Sequence, residues 1–379
     1  MSAERFETLA VHGGEPRPAA GGSVVFPIYQ GTVFEAGPDD SAAPYIRLGT
    51  NPTQRHLHRR LAALEGAEAA VATSSGMAAI TTALHSVLGA GGHLIAAGAF
   101  YGGTHQFLAE HAERLGWAFD LVDPEDEESW RKALRPGTKA FLTESITNPL
   151  IQVGDLVGAA RFAREHGLTS IIDNTFATPV VFRPHAVGFD LVCHSATKAL
   201  NGHSDIAAGV VTGSSERIER VASVLSAFGC SLDPHAAFLL SRGLKTLALR
   251  VRQQNANALA VAEFLAAHEK IAHVRYPGLA AHPDHRRAAE LFDGFGSVLS
   301  FQPVGGTAAA EALIRALRVP YAASSLGGVE SLVTRLAAGG HTGAAAFGPA
   351  GLEDDLIRFS AGIEAAEDLV ADFAQALGA

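Results

Sequence analysis

The chain has 379 residues, 47% hydrophobic and 18% charged, the composition of a packed globular protein and not of a disordered or fibrous one. Its formal charge is −10, from 29 Lys and Arg against 39 Asp and Glu, and without a basic run it is unsuited to gripping nucleic acid. No apolar run approaches the roughly 18 residues of a membrane span, the polar N-terminus lacks the apolar stretch of a secretory signal, and two cysteines, Cys193 and Cys230, are too few for a disulfide framework or a cysteine zinc site. The expectation is a cytoplasmic protein with no nucleic-acid or membrane partner.

Length alone favours about two domains. Residues 1–50 show no sustained period and carry the turn formers Gly13, Gly14, Pro16, Pro18, Gly21, Gly22, Pro27 and Pro38. They are expected to form an extended arm lying on another surface, such as a second subunit. Residues 51–240 are expected to form a large domain. Short apolar segments at 70–73, 93–97, 117–122, 139–144, 170–173, 189–194 and 206–212 predict strands. Helical spacing over 76–88, 104–115 and 156–166 separates several of them. Ile-, Val- and Leu-rich strands alternating with helices predict a mostly parallel α/β sheet covered on both faces. Residues 241–379 are expected to form a smaller α+β domain with strands near 297–302, 329–335 and 355–360. Leu240, Leu244, Leu247 and Val251 start a helical pattern that runs on to Leu265, long enough to bridge the two domains.

Candidate chemistry follows the predicted strands. Ser74-Ser75-Gly76-Met77 joins a strand to a helix start, where free N–H groups attract phosphate; an ordinary Ser/Gly cap has the same appearance. Tyr101 follows the next strand and suits either stacking on a flat cofactor or a place at the rim of the core. Asp173 ends the run Ser170-Ile171-Ile172, where a buried carboxylate needs a partner; a protonated pyridine nitrogen or the following turn can supply it. Lys198 is one of five lysines and closes His194-Ser195-Ala196-Thr197-Lys198. Two hydroxyls beside an amine suit a phosphate and a Schiff base, or a solvated loop. Parallel strands carry all these loops to one edge of the sheet.

The combination resembles the pyridoxal-phosphate enzymes of cysteine and methionine metabolism, the transsulfuration family of cystathionine γ-lyase, γ-synthase and β-lyase and of methionine γ-lyase. The likeness runs through Tyr45-Ile46-Arg47, Asn51-Pro52-Thr53, Ser74 to Met77, Tyr101 to Thr104, Glu144 to Pro149, Asp173 to Thr175, Ser195 to Lys198, Ser325 to Gly328, Glu330 to Leu332 and Leu356 to Arg358. It implies a fold-type I transferase fold with a smaller C-terminal α+β domain, and pyridoxal 5'-phosphate as cofactor. By the same likeness Lys198 would hold the cofactor as a Schiff base, Asp173 would meet its pyridine nitrogen, and Tyr101 would stack on its ring and assist proton transfer. Gly76, Met77, Ser195 and Thr197 would cradle its phosphate. Tyr45 and Arg47 would reach that phosphate in a neighbouring subunit, so the shared site would need at least a dimer, and the resemblance implies a homotetramer made of two dimers. Asn148 would touch the phenolic oxygen, and Arg358, helped by Ser325, would bind the substrate carboxylate. The implied reaction is C–S lysis or γ-replacement, with cystathionine-type γ-chemistry first. β-Elimination, methionine γ-elimination and γ-substitution on an activated homoserine follow, and transamination or a non-catalytic cofactor-binding regulator are remote alternatives.

The chain departs from the family pattern in several places. One extra residue separates Arg47 from Asn51, Ser324 stands where several cystathionine-handling relatives have Glu, and Leu336 replaces a common Pro. Gly339-Gly340-His341-Thr342 is atypical. His56, His58, His282 and His285 are expected at surfaces or caps and not as metal ligands. Cys193 is expected as a small buried residue, and Arg59, Arg60 and Glu65 as a solvated helix face.

Overall fold

A computed structural model describes residues 5–35, 43–98, 100–335 and 353–378. Among these, seven strands form the larger sheet: β1 Ala69–Thr73, β2 His93–Ala97, β3 Ala118–Val122, β4 Thr138–Glu144, β5 Thr169–Asp173, β6 Leu191–Ser195 and β7 Gly209–Gly213. Their order is β1-β7-β6-β5-β4-β2-β3. β7 runs antiparallel to both of its neighbours, and the remaining pairs are parallel. The expected mostly parallel sheet is therefore present, with one reversed strand.

The central strands have no wet face. Phe141, Ile172, Val192 and Val210 enter one core, while their neighbours Leu142, Ile171, Cys193 and Val211 enter the other. This two-sided burial explains why these strands carry continuous apolar runs rather than alternation. Cys193 is fully buried, as expected.

A second, five-stranded sheet holds β8 Ile271–Arg275, β9 Val298–Pro303, β10 Tyr321–Ala322, β11 Leu332–Arg335 and β12 Ile357–Ser360, in the order β10-β11-β12-β9-β8. Its core receives Phe301, Phe359 and Phe373.

Four expectations need correction. The pattern over Leu240–Leu265 is two helices, Pro234–Leu244 and Leu247–Ala266. Buried Arg250 explains the break, because its guanidinium donates to the carbonyls of Gly243 and Ala199, each at 2.7 Å. It thereby caps the first helix with a cation near its C-terminal end. The second helix still joins the two parts: Leu247, Ala248 and Val251 lie in the first core, and Ala258, Val261 and Leu265 in the other.

The arm is not wholly extended. Helix Phe6–His12 places Phe6 and Ala10 in the core of the larger sheet. Seven residues are too few for a visible period. The solvated face assigned to Arg60 and Glu65 also needs correction. Arg60 is 0% exposed and donates to the carbonyls of Ala10 and Val11, at 2.6 and 3.2 Å, and to Glu15. Glu65 is buried against His194, with Oε1 2.5 Å from Nε2. The arm supplies the partners that bury Arg60, and β6 supplies the one that buries Glu65.

His56 is likewise buried, stacked on Phe26 and bonded to Glu15. Between Arg47 and Asn51 the extra residue is taken up in a tight turn. Gly49 adopts φ +71°, and the Thr50 hydroxyl accepts from the Tyr45 amide at 2.8 Å. Asn51 then caps helix Pro52–Glu65 in a reciprocal box with Gln54. Leu336 and Gly339 to Thr342 lie outside the described residues.

Candidate active site

The loops after β1, β2, β4, β5 and β6 meet at one edge of the large sheet, where the small domain brings up Ser325 and Arg358. They enclose a cavity of about 320 Å³. Gly76, Met77, Tyr101, Asn148, Asp173, Ser195, Thr197, Lys198, Ser325 and Arg358 all line it. Tyr45 and Arg47 do not belong to that lining. Arg47 lies 5.3 Å over the exposed Tyr45 ring and donates to the Ser226 carbonyl at 3.1 Å.

The phosphate-type cradle is built by close approach. Ser75 caps helix Gly76–Leu88 by accepting from the Ala78 amide at 3.1 Å. The amides of the first helical turn, Gly76 and Met77 among them, lack intrahelical acceptors. A Cβ on Gly76 would stand 2.6 Å from Cβ of Ser195, so only glycine lets the helix start touch the end of β6. Thr197 is fixed by its backbone bond to Ala208, and its Oγ1 accepts from the Ala208 amide at 2.9 Å. Tyr101 heads helix Gly102–His111 and is 41% exposed, with its ring against Gly103, where a Cβ would come within 2.6 Å of Cε1.

Asp173 receives both the amide and the hydroxyl of Thr175 on Oδ1, at 2.9 and 2.5 Å. Thr175 Oγ1 in turn accepts from the Ser195 amide at 2.8 Å. One hydroxyl therefore ties the ends of β5 and β6 together. Burial pushes the Asp173 carboxyl up, and the two Thr175 bonds and His194 oppose that rise. Beside it, Glu144 is held well above the usual carboxylate range by burial and by the Asp173 charge.

On the opposite wall, the Lys198 amine donates to Ser325 Oγ at 2.7 Å. Burial, aided by the Arg358 cation, lowers Lys198 to about 8. Arg358 is itself buried. It donates to Asn148 Oδ1 at 3.0 Å and to the Ser325 carbonyl at 2.9 Å. Burial brings it down to about 10, so it stays charged at neutral pH. Ser325 thus bonds the amine through its hydroxyl and the guanidinium through its carbonyl.

Sequence reasoning assigned no role to Glu144, Thr175, Ile146, Phe176 or Thr334, which also line the cavity. The D-x-T spacing of an Asx turn signals Thr175. Nothing local signals Thr334, which reaches the site through its pairing opposite Arg358 in the small sheet.

Comparison with known proteins agrees with this geometry. The chain is 40% identical over 336 residues to "Cystathionine gamma-synthase 1, chloroplastic" of Nicotiana tabacum, covering 88% of this chain and 62% of that one. It thus spans under two thirds of that relative's length. It is 40% identical to "Cystathionine gamma-lyase" of Bacillus subtilis, covering 98% of each chain. Among solved structures, cystathionine gamma synthase from Xanthomonas oryzae pv. oryzae, determined with aminoacrylate and cysteine, matches with a TM-score of 0.95 and 38% identity over 100% of this chain and 98% of that one. Similar relatives also carry the names L-methionine gamma-lyase and cystathionine beta-lyase. Residues 7–378 match the family described as Cys/Met metabolism PLP-dependent enzyme, and the chain belongs to that family of transsulfuration lyases and synthases.

Proposed function

We propose that the protein catalyses γ-elimination or γ-replacement on an L-α-amino acid bearing sulfur or an activated oxygen at Cγ, with cystathionine the first candidate. The observation that carries this reading is the Lys198–Ser325–Arg358 contact. It places a proton-accepting amine beside a buried fork for a carboxylate, as chemistry at the α-carbon of an amino acid requires.

The residues present fit pyridoxal phosphate. Glycine at position 76 opens a cradle of helix-start amides against Ser195. The Thr175 bonds on Oδ1 of Asp173 support an ionised carboxylate on the cavity wall, suited to a pyridinium nitrogen. The lowered amine of Lys198 suits condensation with an aldehyde. We assign the phosphate to the amides of Gly76 and Met77 and the hydroxyls of Ser195 and Thr197, the ring face to Tyr101, and the phenolic oxygen to Asn148. The bound cofactor supplies a ring that stabilises negative charge at Cα.

The protein's own part is proton handling and placement. Arg358 binds the α-carboxylate, while Asn148 and the Ser325 carbonyl hold the guanidinium. Lys198, as the neutral amine, would take the Cα proton; loss of the group at Cγ needs a second proton removed from Cβ, a task for the same amine, and a proton passed to the departing group. Its bond to Ser325 keeps it on the substrate side. Tyr101 assists the transfer. Tyr45 and Arg47, outside their own cavity, reach the phosphate of a neighbouring subunit in a homotetramer made of two dimers. The working division is an arm over 1–50, a cofactor-binding domain over 51–240 and a small domain over 241–379, in a cytoplasmic protein. No helix among the described residues is long and apolar enough to cross a membrane.

Ser324 favours a second reading within the same chemistry. This uncharged residue lines the cavity, which suits a substrate with a neutral distal group, such as methionine or an acylated homoserine. The test is to incubate cofactor-loaded protein with L-cystathionine and identify products by mass spectrometry. 2-Oxobutyrate with cysteine supports γ-elimination, whereas pyruvate with homocysteine assigns a β-lyase. With neither, and with a cofactor absorbance that still shifts on adding amino acids, the cystathionine reading fails and the second one stands.

A further inference from the structure

Glu144 is a buried carboxyl at the floor of the cavity to which the proton chemistry above gives no task. It ends β4, and Asp173 ends β5. The two are in parallel register, Glu144 opposite Asp173, so their side chains leave the same face of the sheet side by side. Glu144 is 6% exposed. Its Oε1 accepts the Tyr101 backbone amide at 2.7 Å, and its hydrogen-bonded contacts are backbone amides, not a cation. The charged and titratable groups on the surrounding walls are Asp173 from β5, Tyr101 from the loop after β2, Lys198 from the loop after β6, and Arg358 from the small sheet. Arg358 is committed to Asn148 and Ser325, and Lys198 to Ser325.

We propose that Glu144 stands in the site as a neutral carboxylic acid, a positioning residue whose oxygen fixes Tyr101 while the negative charge of that floor stays on Asp173. Two neighbouring carboxyls in one dry site do not both ionise without a second cation. Each carboxyl accepts two hydrogen bonds, Glu144 from the backbone amides of Tyr101 and Asn148, so the cation decides which one carries the charge: the pyridinium is assigned to Asp173, while Glu144 accepts backbone amides alone. Asp173 takes the amide and the hydroxyl of Thr175, and both favour its ionised form. Glu144 is the more deeply buried of the two and lies well above the usual carboxylate range. A neutral Glu144 accepts the Tyr101 amide without competing for a pyridinium, so one group places the stacking ring and Asp173 alone meets the nitrogen. This inference rests on the cofactor assignment made above.

The test is infrared difference spectroscopy of the holoenzyme, wild type minus Glu144→Gln, at neutral and at alkaline pH. The expected result is a protonated carboxylic-acid carbonyl band at neutral pH. It should give way to carboxylate bands on raising the pH, with a concurrent shift of cofactor absorbance that Glu144→Gln lacks. A carboxylate band at neutral pH overturns the inference, as does an alkaline absorbance shift that persists in the variant. If the Gln variant does not fold, Glu144→Ala serves for the same subtraction. In Glu144→Ala the Tyr101 anchor is lost, and kcat should fall about tenfold with KM little changed, as for one hydrogen bond of about 1.4 kcal/mol. A change confined to KM counts against the positioning role. Should the wild type show no cofactor absorbance at all, the cofactor assignment fails instead.

Discussion

Lys198 and Arg358 depend on each other through Ser325, and their chemistry sets two expectations. The Lys198 amine is lowered to about 8, so its neutral form dominates above that pH. The rate at which cofactor-free protein condenses with pyridoxal phosphate should climb with pH through a midpoint near 8 and level off above it, as followed by stopped-flow absorbance. A climb that continues toward the ordinary lysine range near ~10.4 would show that burial and Arg358 do not tune the amine. Arg358→Ala removes a buried, charge-assisted carboxylate fork, which should cost roughly 3 kcal/mol, or about a hundredfold in kcat/KM. Steady-state kinetics checks this, and cofactor absorbance should be retained because Asn148 and Ser325 remain. At this scale much of the site was legible. Lys198, Asp173 and Gly76 announce themselves because each follows an apolar strand, and strand ends are where such sheets place ligands. Glu144 did not, since its meaning depends on which strand β4 lies beside, and spacing within one segment cannot state that.

Between elements, the critical contact is helix Gly76–Leu88 against the end of β6. Gly76→Ala puts a methyl 2.6 Å from Ser195 Cβ, so the helix start must retreat. Overpacking of this kind costs about 1–3 kcal/mol, and cofactor affinity, measured by fluorescence titration, should fall at least tenfold. Ser75→Ala removes only the cap and should cost about 1 kcal/mol in a thermal or urea melt, with a smaller change in affinity. The strands and this helix could be predicted because their apolar runs are local. The break at Lys245 and Thr246 could not, because its cause, the Arg250 side chain reaching back to Gly243 and across to Ala199, is tertiary. The burial of Arg60 and Glu65 escaped for the same reason. Their partners Glu15 and His194 sit far away in the chain, and charge near a helix end usually means solvent.

For the whole molecule, the separation of Tyr45 and Arg47 from their own cavity is the feature to test. If they complete a neighbour's site, Arg47→Ala and Lys198→Ala chains are each inactive alone, yet mixed assemblies contain sites built from one intact half of each. Co-expression should restore partial activity, and sedimentation should show that the active species is an oligomer. Activity that stays at the level of the single variants would place both residues in a purely structural role within one chain.

Ser325 carries a cost that shapes how this enzyme can change. Its φ of +100° lies where residues with a Cβ are strained, and it is kept there by Arg358 on its carbonyl and Lys198 on its hydroxyl. Gly327, two residues on, occupies similar space at φ +76° without strain. Ser325→Gly should therefore relax about 1 kcal/mol or more of stored backbone energy and raise the melting temperature, while loosening the amine and slowing turnover. Selection for heat resistance alone would tend to erase this serine, and selection for speed would restore it. A position at which durability and turnover pull in opposite directions marks where evolution, natural or directed, has to choose.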